Sequence, residues 1–227
     1  MKYIGQPTPT IDAVAKVTGE AVYTDDLLLP GMLWGKVLTS PEALPGVRAV
    51  ITYQDSPKTC FNRIMRWAKD GIPATERVLD DVVRFVGDEV AAVAADTEAI
   101  AQKAIKLIEV DYEELPAVFD PEEALKEDAP HIYPEGNLLK AQRAECGDVD
   151  AALAEADVVV ENALSTQMIH HGAIEPHQCI ARWNRGDYLE VWEPQQGVHR
   201  VQIMLGQIFG LPYTKIAIHG GLIGGTF

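Results

Sequence analysis

The chain has 227 residues, of which 47% are hydrophobic and 23% are charged, a composition typical of a folded globular protein. Lysine and arginine together number 19 against 34 aspartates and glutamates, which gives a formal net charge of −15 at pH 7. A surface this acidic repels nucleic acid and anionic lipid, so neither is an expected partner.

The cysteines indicate a reducing compartment. Cys60, Cys146 and Cys179 are far apart and odd in number, and no zinc or redox spacing joins them. The first residues contain no apolar core of a signal peptide, and no apolar run is long enough to span a bilayer. The sequence therefore predicts a cytoplasmic protein without a membrane segment.

The N-terminal part favours a β-rich start with turns between short strands. Pro30-Gly31 marks a turn, and the apolar run from Met32 to Leu38 follows it as a strand. Pro45-Gly46 begins another turn, which leads into a β-branched strand that starts at Val47. Residues 56–76 carry no assignable pattern.

Residues 78–114 form the clearest structural unit and predict a β-β-α-β order. The predicted strands are 82–87, 89–95 and 109–113. An amphipathic helix over 97–108 lies before the last strand, with Asp96 as its candidate N-cap. We expect Ile105 and Ile108 on the buried face of this helix, against the sheet.

A proline-rich, acidic stretch at 115–137 separates this unit from the rest of the chain. Asp120 followed by Pro121 predicts a short helix inside the stretch, because proline is favoured at the first helical position behind a capping side chain. A domain boundary is expected here. Beyond the boundary, Asp148 caps a predicted helix, and 157–164 predict a strand.

The last third of the chain contains a predicted β-α-β unit. Its strands are 188–192 and 215–219, and a helical stripe from Val198 to Ile208 that ends at Gly210 joins them. If the strands are parallel neighbours, the turn after the first and the loop after the second lie on one edge of the sheet.

Glycine makes up half of the last eight residues, Gly220-Gly221-Leu222-Ile223-Gly224-Gly225-Thr226-Phe227. Paired glycines after a strand let the backbone approach another molecule, and their N–H groups can hold an anion. A tight turn packed on a neighbouring strand explains the same residues, and the spacing leaves both interpretations open. Gln196 likewise either faces this loop or caps the helix that begins at Val198.

A polar cluster precedes the β-α-β unit. Its members are His170, His171, Glu175 and His177. Their spacing matches no zinc pattern, and a helix that carried them would have to end before Pro176. We interpret them as polar residues beneath a site, and no metal ligand is assigned.

Taken together, these motifs resemble the N-terminal part of the molybdenum-binding subunit of the xanthine dehydrogenase/aldehyde oxidase family. The matching segments, in chain order, are 12–26, 43–55, 83–95, His171 with Glu175, 192–200 and 224–227. Their order is more specific than any single motif. The resemblance implies an α+β protein: an α/β hammerhead domain over 1–118, a proline-rich linker over 119–137, and the first part of a molybdenum-cofactor-binding domain over 138–227.

Three departures from the family pattern accompany the resemblance. A strand and loop that are usual in the family are missing between Pro41 and Ala43. Thr226 replaces a glycine of the family's GGGFGGK loop, and a β-branched residue resists positive φ. The sequence stops at Phe227, before the family's catalytic glutamate, so no catalytic residue is assigned in this chain.

The family hydroxylates an N-heterocycle or an aldehyde carbon with oxygen from water, and a molybdenum-pterin cofactor carries the redox step. The resemblance implies that Gln196 donates to a molybdenum oxo group, and that Gly224, Gly225, Thr226 and Phe227 border the cofactor. It also implies three partners: the remainder of the molybdenum subunit, and iron–sulfur and FAD components on other chains, since no cysteine cluster occurs here.

The function expected from the sequence is therefore an N-terminal fragment or chain of a molybdenum hydroxylase that is inactive alone. The alternative is a noncatalytic scaffold or interaction protein that retains the hammerhead fold. Thr226 and the missing segment after Pro41 favour this alternative, whereas Gln196 and the glycine-rich loop favour the enzyme.

Overall fold

The computed structural model describes residues 10–37, 44–62, 73–141 and 143–227, and it contains two small three-stranded sheets. The strands are β1 (Trp34–Val37), β2 (Val47–Thr52), β3 (Ala91–Ala95), β4 (Ile180–Asn184), β5 (Tyr188–Glu193) and β6 (Ile216–Gly220). The helices are α1 (Ala13–Thr18), α2 (Glu98–Ile105), α3 (Pro121–Ala124), α4 (Val149–Glu155) and α5 (Val198–Phe209). None of the helices in these ranges has both the length and the apolar character needed to cross a bilayer.

The first sheet has the order β1-β3-β2, and β3 is antiparallel to both neighbours. Alternate residues of β3 are buried, because side chains two apart on a strand share a face. Helix α2 packs against β1 and β3 and buries Ala101 and Ala104, while Ile105 and Ile108 are half-buried. The predicted helix is thus confirmed over Glu98–Ile105, but Ile108 lies beyond its end and the buried positions are the two alanines, not the isoleucines.

Two of the three predicted helix caps are confirmed. The carboxylates of Asp120 and Asp148 accept first-turn N–H groups of α3 and α4 at 2.9 Å. Asp96 does not cap α2, because Thr97 takes that position with its hydroxyl. Asp96 instead forms a two-point ion pair with Arg48, with N–O distances of 2.6 and 2.8 Å, and this pair holds the pKa of Asp96 below its usual value.

The prediction of a β-rich start is wrong where α1 forms. Asp12 lies directly before the helix, and its carboxylate pairs with Lys16 at 2.6 Å. Gly19 ends the helix with φ of 76°, the left-handed conformation that glycine adopts without strain. The junction between Pro41 and Ala43, where the resemblance predicts a missing segment, lies outside the described residues.

Three predicted strands, at 82–87, 109–113 and 157–164, do not form. Without the first two, the predicted β-β-α-β order is reduced to β3 followed by α2. Within 82–87 the chain turns: Asp88 accepts from the Arg84 N–H at 3.0 Å and donates its own N–H to the Phe85 carbonyl at 3.2 Å. Residues 109–113 and 157–164 have no ladder partner in the described part of the chain. An alternating pattern predicts which side chains share a face, but a strand also needs a partner for its backbone.

The linker between the two sheets is organised by one side chain. The Asn137 amide donates to the carbonyls of Ala124 and Pro130, both at 2.9 Å, and its oxygen accepts from the Ile132 N–H at 2.8 Å. These three bonds close the residues after α3 into a compact loop.

The second sheet has the order β4-β5-β6 and confirms the predicted β-α-β unit. Strands β5 and β6 are parallel, and α5 connects them and packs on β6. Gly210 ends α5 with φ of 65°, as predicted. Leu189, Val191 and Ile216 form the buried core beneath the helix. Strand β4, which pairs antiparallel with β5, has no predicted counterpart.

Candidate functional site

The carboxyl ends of β5 and β6 meet at one edge of the second sheet. Glu193, the last residue of β5, is paired with Gly220, the last residue of β6. Residues 194–197 therefore leave the sheet beside the glycine loop, which we define as residues 220–227. This is the edge at which parallel sheets most often bind ligands.

The glycine loop folds back onto the chain at 170–178, which we call the histidine segment. The Gly224 N–H donates to a carboxylate oxygen of Glu175 at 2.6 Å, and the Glu175 N–H donates to the Gly224 carbonyl at 3.4 Å. A Cβ on Gly224 would lie 2.4 Å from the Glu175 Cβ, and one on Gly225 would lie 2.8 Å from the Ala173 Cβ. Glycine at both positions is therefore required by contacts inside the chain.

These contacts change which loop groups remain for a ligand. The Gly224 N–H is already bonded to Glu175, whereas the N–H groups of Gly225, Thr226 and Phe227 donate to no described residue. The positive φ in this part of the loop, 148°, belongs to Gly225. Thr226 adopts no positive φ, so its β-branched side chain is accommodated without backbone strain.

The histidine segment supports the loop rather than gathering around an ion. The His171 ring meets the Phe227 ring edge-on, with centroids 5.6 Å apart, and His170 accepts the Gly172 N–H at 3.0 Å. Within the described ranges, no three His, Cys, Asp or Glu side chains come together as metal ligands would.

The two neighbouring glutamines behave differently. Gln195 bonds at the start of α5, where its amide oxygen accepts the Gly197 N–H at 3.0 Å. Gln196 is exposed and does not make this bond. The side chain that bonds at the start of α5 is therefore that of Gln195 and not that of Gln196. The amide of Gln196 remains exposed to solvent. The amide nitrogen of Gln195 is buried and has no hydrogen-bond partner among the described residues.

Glu193 is a further residue of this edge. The predicted strand ends at 192, which leaves Glu193 in the turn that follows, whereas β5 includes it. One of its carboxylate oxygens is buried and has no partner in the described part of the chain. Burial raises the pKa of Glu193 above its ordinary value of 4.5, because desolvation disfavours the charged form. Its place as the carboxylate at the end of strand β5 is the only sequence feature that points to it.

We expect Glu193→Gln to change how stability depends on pH. A carboxylic acid whose pKa is raised on folding favours the folded state below the unfolded value of 4.5 and loses this contribution as the pH rises through the folded pKa. The stability of the wild type relative to Glu193→Gln should therefore fall as the pH rises from about 4.5. Urea denaturation of both proteins at several pH values measures this difference.

Glu190, on the same strand, supplies a control of opposite sign. Its hydrogen bond with Arg182 lowers the pKa of Glu190, so its contribution is present at neutral pH and is lost on acidification. The stability of the wild type relative to Glu190→Gln should rise with pH below about 4.5 and stay level at higher pH, where the difference for Glu193→Gln falls. Parallel slopes for the two variants would contradict the assignment at Glu193.

Comparison with known proteins identifies both halves of the chain. Residues 42–116 match the family model of the aldehyde oxidase and xanthine dehydrogenase a/b hammerhead domain. Residues 131–227 match the model of the molybdopterin cofactor-binding domain. Together the two models include both sheets except β1.

Curated relatives and solved structures agree with these matches. The xanthine dehydrogenase molybdenum-binding subunit of Escherichia coli O157:H7 is 34% identical over 96% of this chain and 31% of its own length. The nicotinate dehydrogenase large molybdopterin subunit of Eubacterium barkeri is 33% identical over 99% of this chain and 55% of its own length. The structure of aldehyde oxidoreductase from Desulfovibrio gigas superimposes with a TM-score of 0.84 at 30% identity, covering 96% of this chain and 27% of that one. The chain therefore spans between about a quarter and just over half of the length of these relatives.

Proposed function

Because this chain belongs to the xanthine dehydrogenase/aldehyde oxidase family of molybdenum enzymes, we propose that it is the N-terminal section of the molybdenum subunit of a hydroxylase. The observation that carries the proposal is the edge shared by the parallel strands β5 and β6, where Gln196 and the glycine loop follow the two strand ends. The substrate class is an N-heterocycle or an aldehyde, which is hydroxylated with oxygen from water.

The donors at this edge fit a molybdenum-pterin cofactor. Gln196 offers an exposed amide, and Gly225, Thr226 and Phe227 offer backbone N–H groups that no described residue accepts. Oxo groups and pterin edges are acceptors, so a donor-rich edge is complementary to them. We propose that Gly224 serves differently, by fixing the loop to Glu175. When bound, the cofactor supplies the redox chemistry, and this chain binds and orients it.

The organisation of the whole enzyme follows from the same proposal. We assign the hammerhead domain to 1–118, the linker to 119–137 and the start of the cofactor-binding domain to 138–227. Iron–sulfur clusters and FAD are placed on partner chains, and the remainder of the molybdenum subunit completes the cofactor site. A cytoplasmic location suits the three exposed cysteines, which form no disulfide.

Reconstitution tests the proposal. The 227 residues alone should give no turnover of purines or aldehydes with a dye acceptor and should retain no stoichiometric molybdenum, because they supply only part of the cradle. Co-expression with the remainder of the subunit and the iron–sulfur and flavin chains should restore both. Assembly of that complex without molybdenum or turnover would favour the scaffold alternative. Tightly bound molybdenum in the isolated chain would contradict the proposal that these residues form only part of the cofactor site.

Gln196→Leu tests the site within the assembled enzyme. We expect kcat to fall by up to about tenfold, the equivalent of one neutral hydrogen bond, while molybdenum content and stability hold. Gln207→Leu, an exposed glutamine on α5, is the matched control and should leave kcat unchanged. Equal kcat values for the two variants would remove Gln196 from the site.

A further inference from the structure

We propose that a turn near the N-terminus, Thr24–Asp26, positions the glycine loop through Gln178, which makes Asp25 and Gln178 positioning residues of the cofactor site. The positioning role rests on the proposed function, whereas the mechanical link between the turn and the loop rests on contacts within this chain. The turn precedes the first sheet in the chain and the loop follows the last strand of the second sheet, so the link joins two distant parts of the chain.

The turn itself is firmly built. The Tyr23 N–H donates to the Asp26 carboxylate at 2.9 Å, and the Leu27 N–H donates to the Thr24 carbonyl at 3.2 Å, which closes one turn of 3-10 helix. Thr24 is 3% exposed although its side chain is polar. The Thr24 hydroxyl lies 3.7 Å from the position that a Cβ on Gly221 would occupy, so it lies beside the first part of the glycine loop.

Gln178 connects the same turn to the histidine segment. With its amide oriented to satisfy both neighbours, its oxygen accepts the Asp25 N–H at 3.0 Å. Its nitrogen donates to the Asp25 carboxylate and to the Pro176 carbonyl, both at 3.2 Å. Three hydrogen bonds therefore converge on a single half-buried side chain.

The histidine segment in turn holds the second part of the loop. Pro176 directly follows Glu175, whose carboxylate accepts the Gly224 N–H at 2.6 Å. The turn therefore lies close to the loop in two places: Thr24 lies beside Gly221, and Gln178 leads through Pro176 and Glu175 to Gly224. A series of bonded and adjacent groups of this kind can carry mechanical coupling between the turn and the loop.

Hydrogen exchange at the Gly224 amide, followed by NMR in the purified 227-residue chain, tests the link without any cofactor. Gln178→Leu removes all three bonds with little change in volume, and we expect exchange at Gly224 to accelerate by about tenfold. Exchange at Val93, buried in the other sheet, should not change. Gln207→Leu is the control and should leave both amides at their wild-type rates.

A double-mutant cycle separates a specific link from general stabilisation. Asp25→Ala should give a smaller acceleration, and adding it to Gln178→Leu should have little further effect, because both act on the same bonds. Asp25→Asn keeps an acceptor oxygen and should restore the wild-type rate. Equal acceleration at Gly224 and Val93, additive effects of the two substitutions, or an unchanged rate at Gly224 would each overturn the inference.

Molybdenum content gives the second readout, in the assembled enzyme. Gln178→Leu should lower molybdenum per subunit relative to Gln207→Leu, whereas equal content would overturn the positioning role. If the wild-type complex holds no molybdenum, the proposed function fails, and the Gly224 exchange rates still decide whether the turn positions the loop.

Discussion

Gly224→Ala is expected to destabilise the folded chain by about 1–3 kcal/mol, the usual cost of forcing a methyl group into a filled site. The new Cβ would lie 2.4 Å from the Glu175 Cβ, 3.1 Å from its carboxylate and 3.3 Å from its Cα. Neither backbone nor Cβ atoms can rotate away, so the loop and the histidine segment would have to separate. The bond between the Gly224 N–H and Glu175 would be strained or lost at the same time.

Gly221→Ala in the same loop is the matched control. Its Cβ would meet only the Thr24 hydroxyl, at 3.7 Å, which is an ordinary contact. We expect its free energy of unfolding to stay within about 0.5 kcal/mol of the wild type. Urea denaturation of the wild type, Gly224→Ala and Gly221→Ala measures the difference in the free energy of unfolding. Similar midpoints for the two variants would show that the close approach at Gly224 does not affect stability.

The glycine loop shows what composition alone leaves undecided. Paired glycines after a strand predict a close backbone approach, and the structure contains one, but at Gly224 the partner is Glu175 of the same chain. Glycine at this position is therefore explained before any ligand is considered. The features that point to a cofactor are instead the N–H groups of Gly225, Thr226 and Phe227, which bond to no described residue, and the start of the loop beside the end of β5.

Local patterns predicted the second sheet well because its unit is contiguous in sequence. The stripe of α5, the glycine at its end and the two flanking strands lie within about 35 residues, and a right-handed crossover is the usual way to join such parallel strands. The caps at Asp120 and Asp148 were predictable for the same reason, since each side chain bonds to N–H groups two or three residues away.

Features that depend on distant residues were not predictable. Residues 157–164 have the β-branched composition of a strand, yet they pair with no described segment, and Val158 and Val160 are exposed. Asp96 is a residue type that often caps helices, but its carboxylate is paired with Arg48, which is far away in sequence. Gln195 and Gln196 are chemically identical, so only the path of the chain decides which one bonds to Gly197.

Leu189→Ala should be the most damaging substitution in the sheet that carries the site, at about 2–5 kcal/mol, because it removes buried methyl groups and leaves a cavity. Leu189 is 4% exposed and lies in the core with Val191 and Ile216, against Leu205 of α5. Its backbone pairs with Ile216 in the parallel ladder, so a loss of packing here loosens β5 from β6. The same change should therefore weaken the sheet edge at which β5 and β6 end, before Gln196 and the glycine loop.

Leu164→Ala makes the same chemical change where the side chain is 95% exposed. Without burial there is neither a transfer term nor a cavity, and we expect its effect to stay within about 0.5 kcal/mol. Denaturant midpoints of the wild type and both variants, compared at unchanged slope, give the two energies. A loss below about 1 kcal/mol in Leu189→Ala would mean that this core does not hold β5 against β6, and that the shared edge is stabilised by the backbone ladder alone.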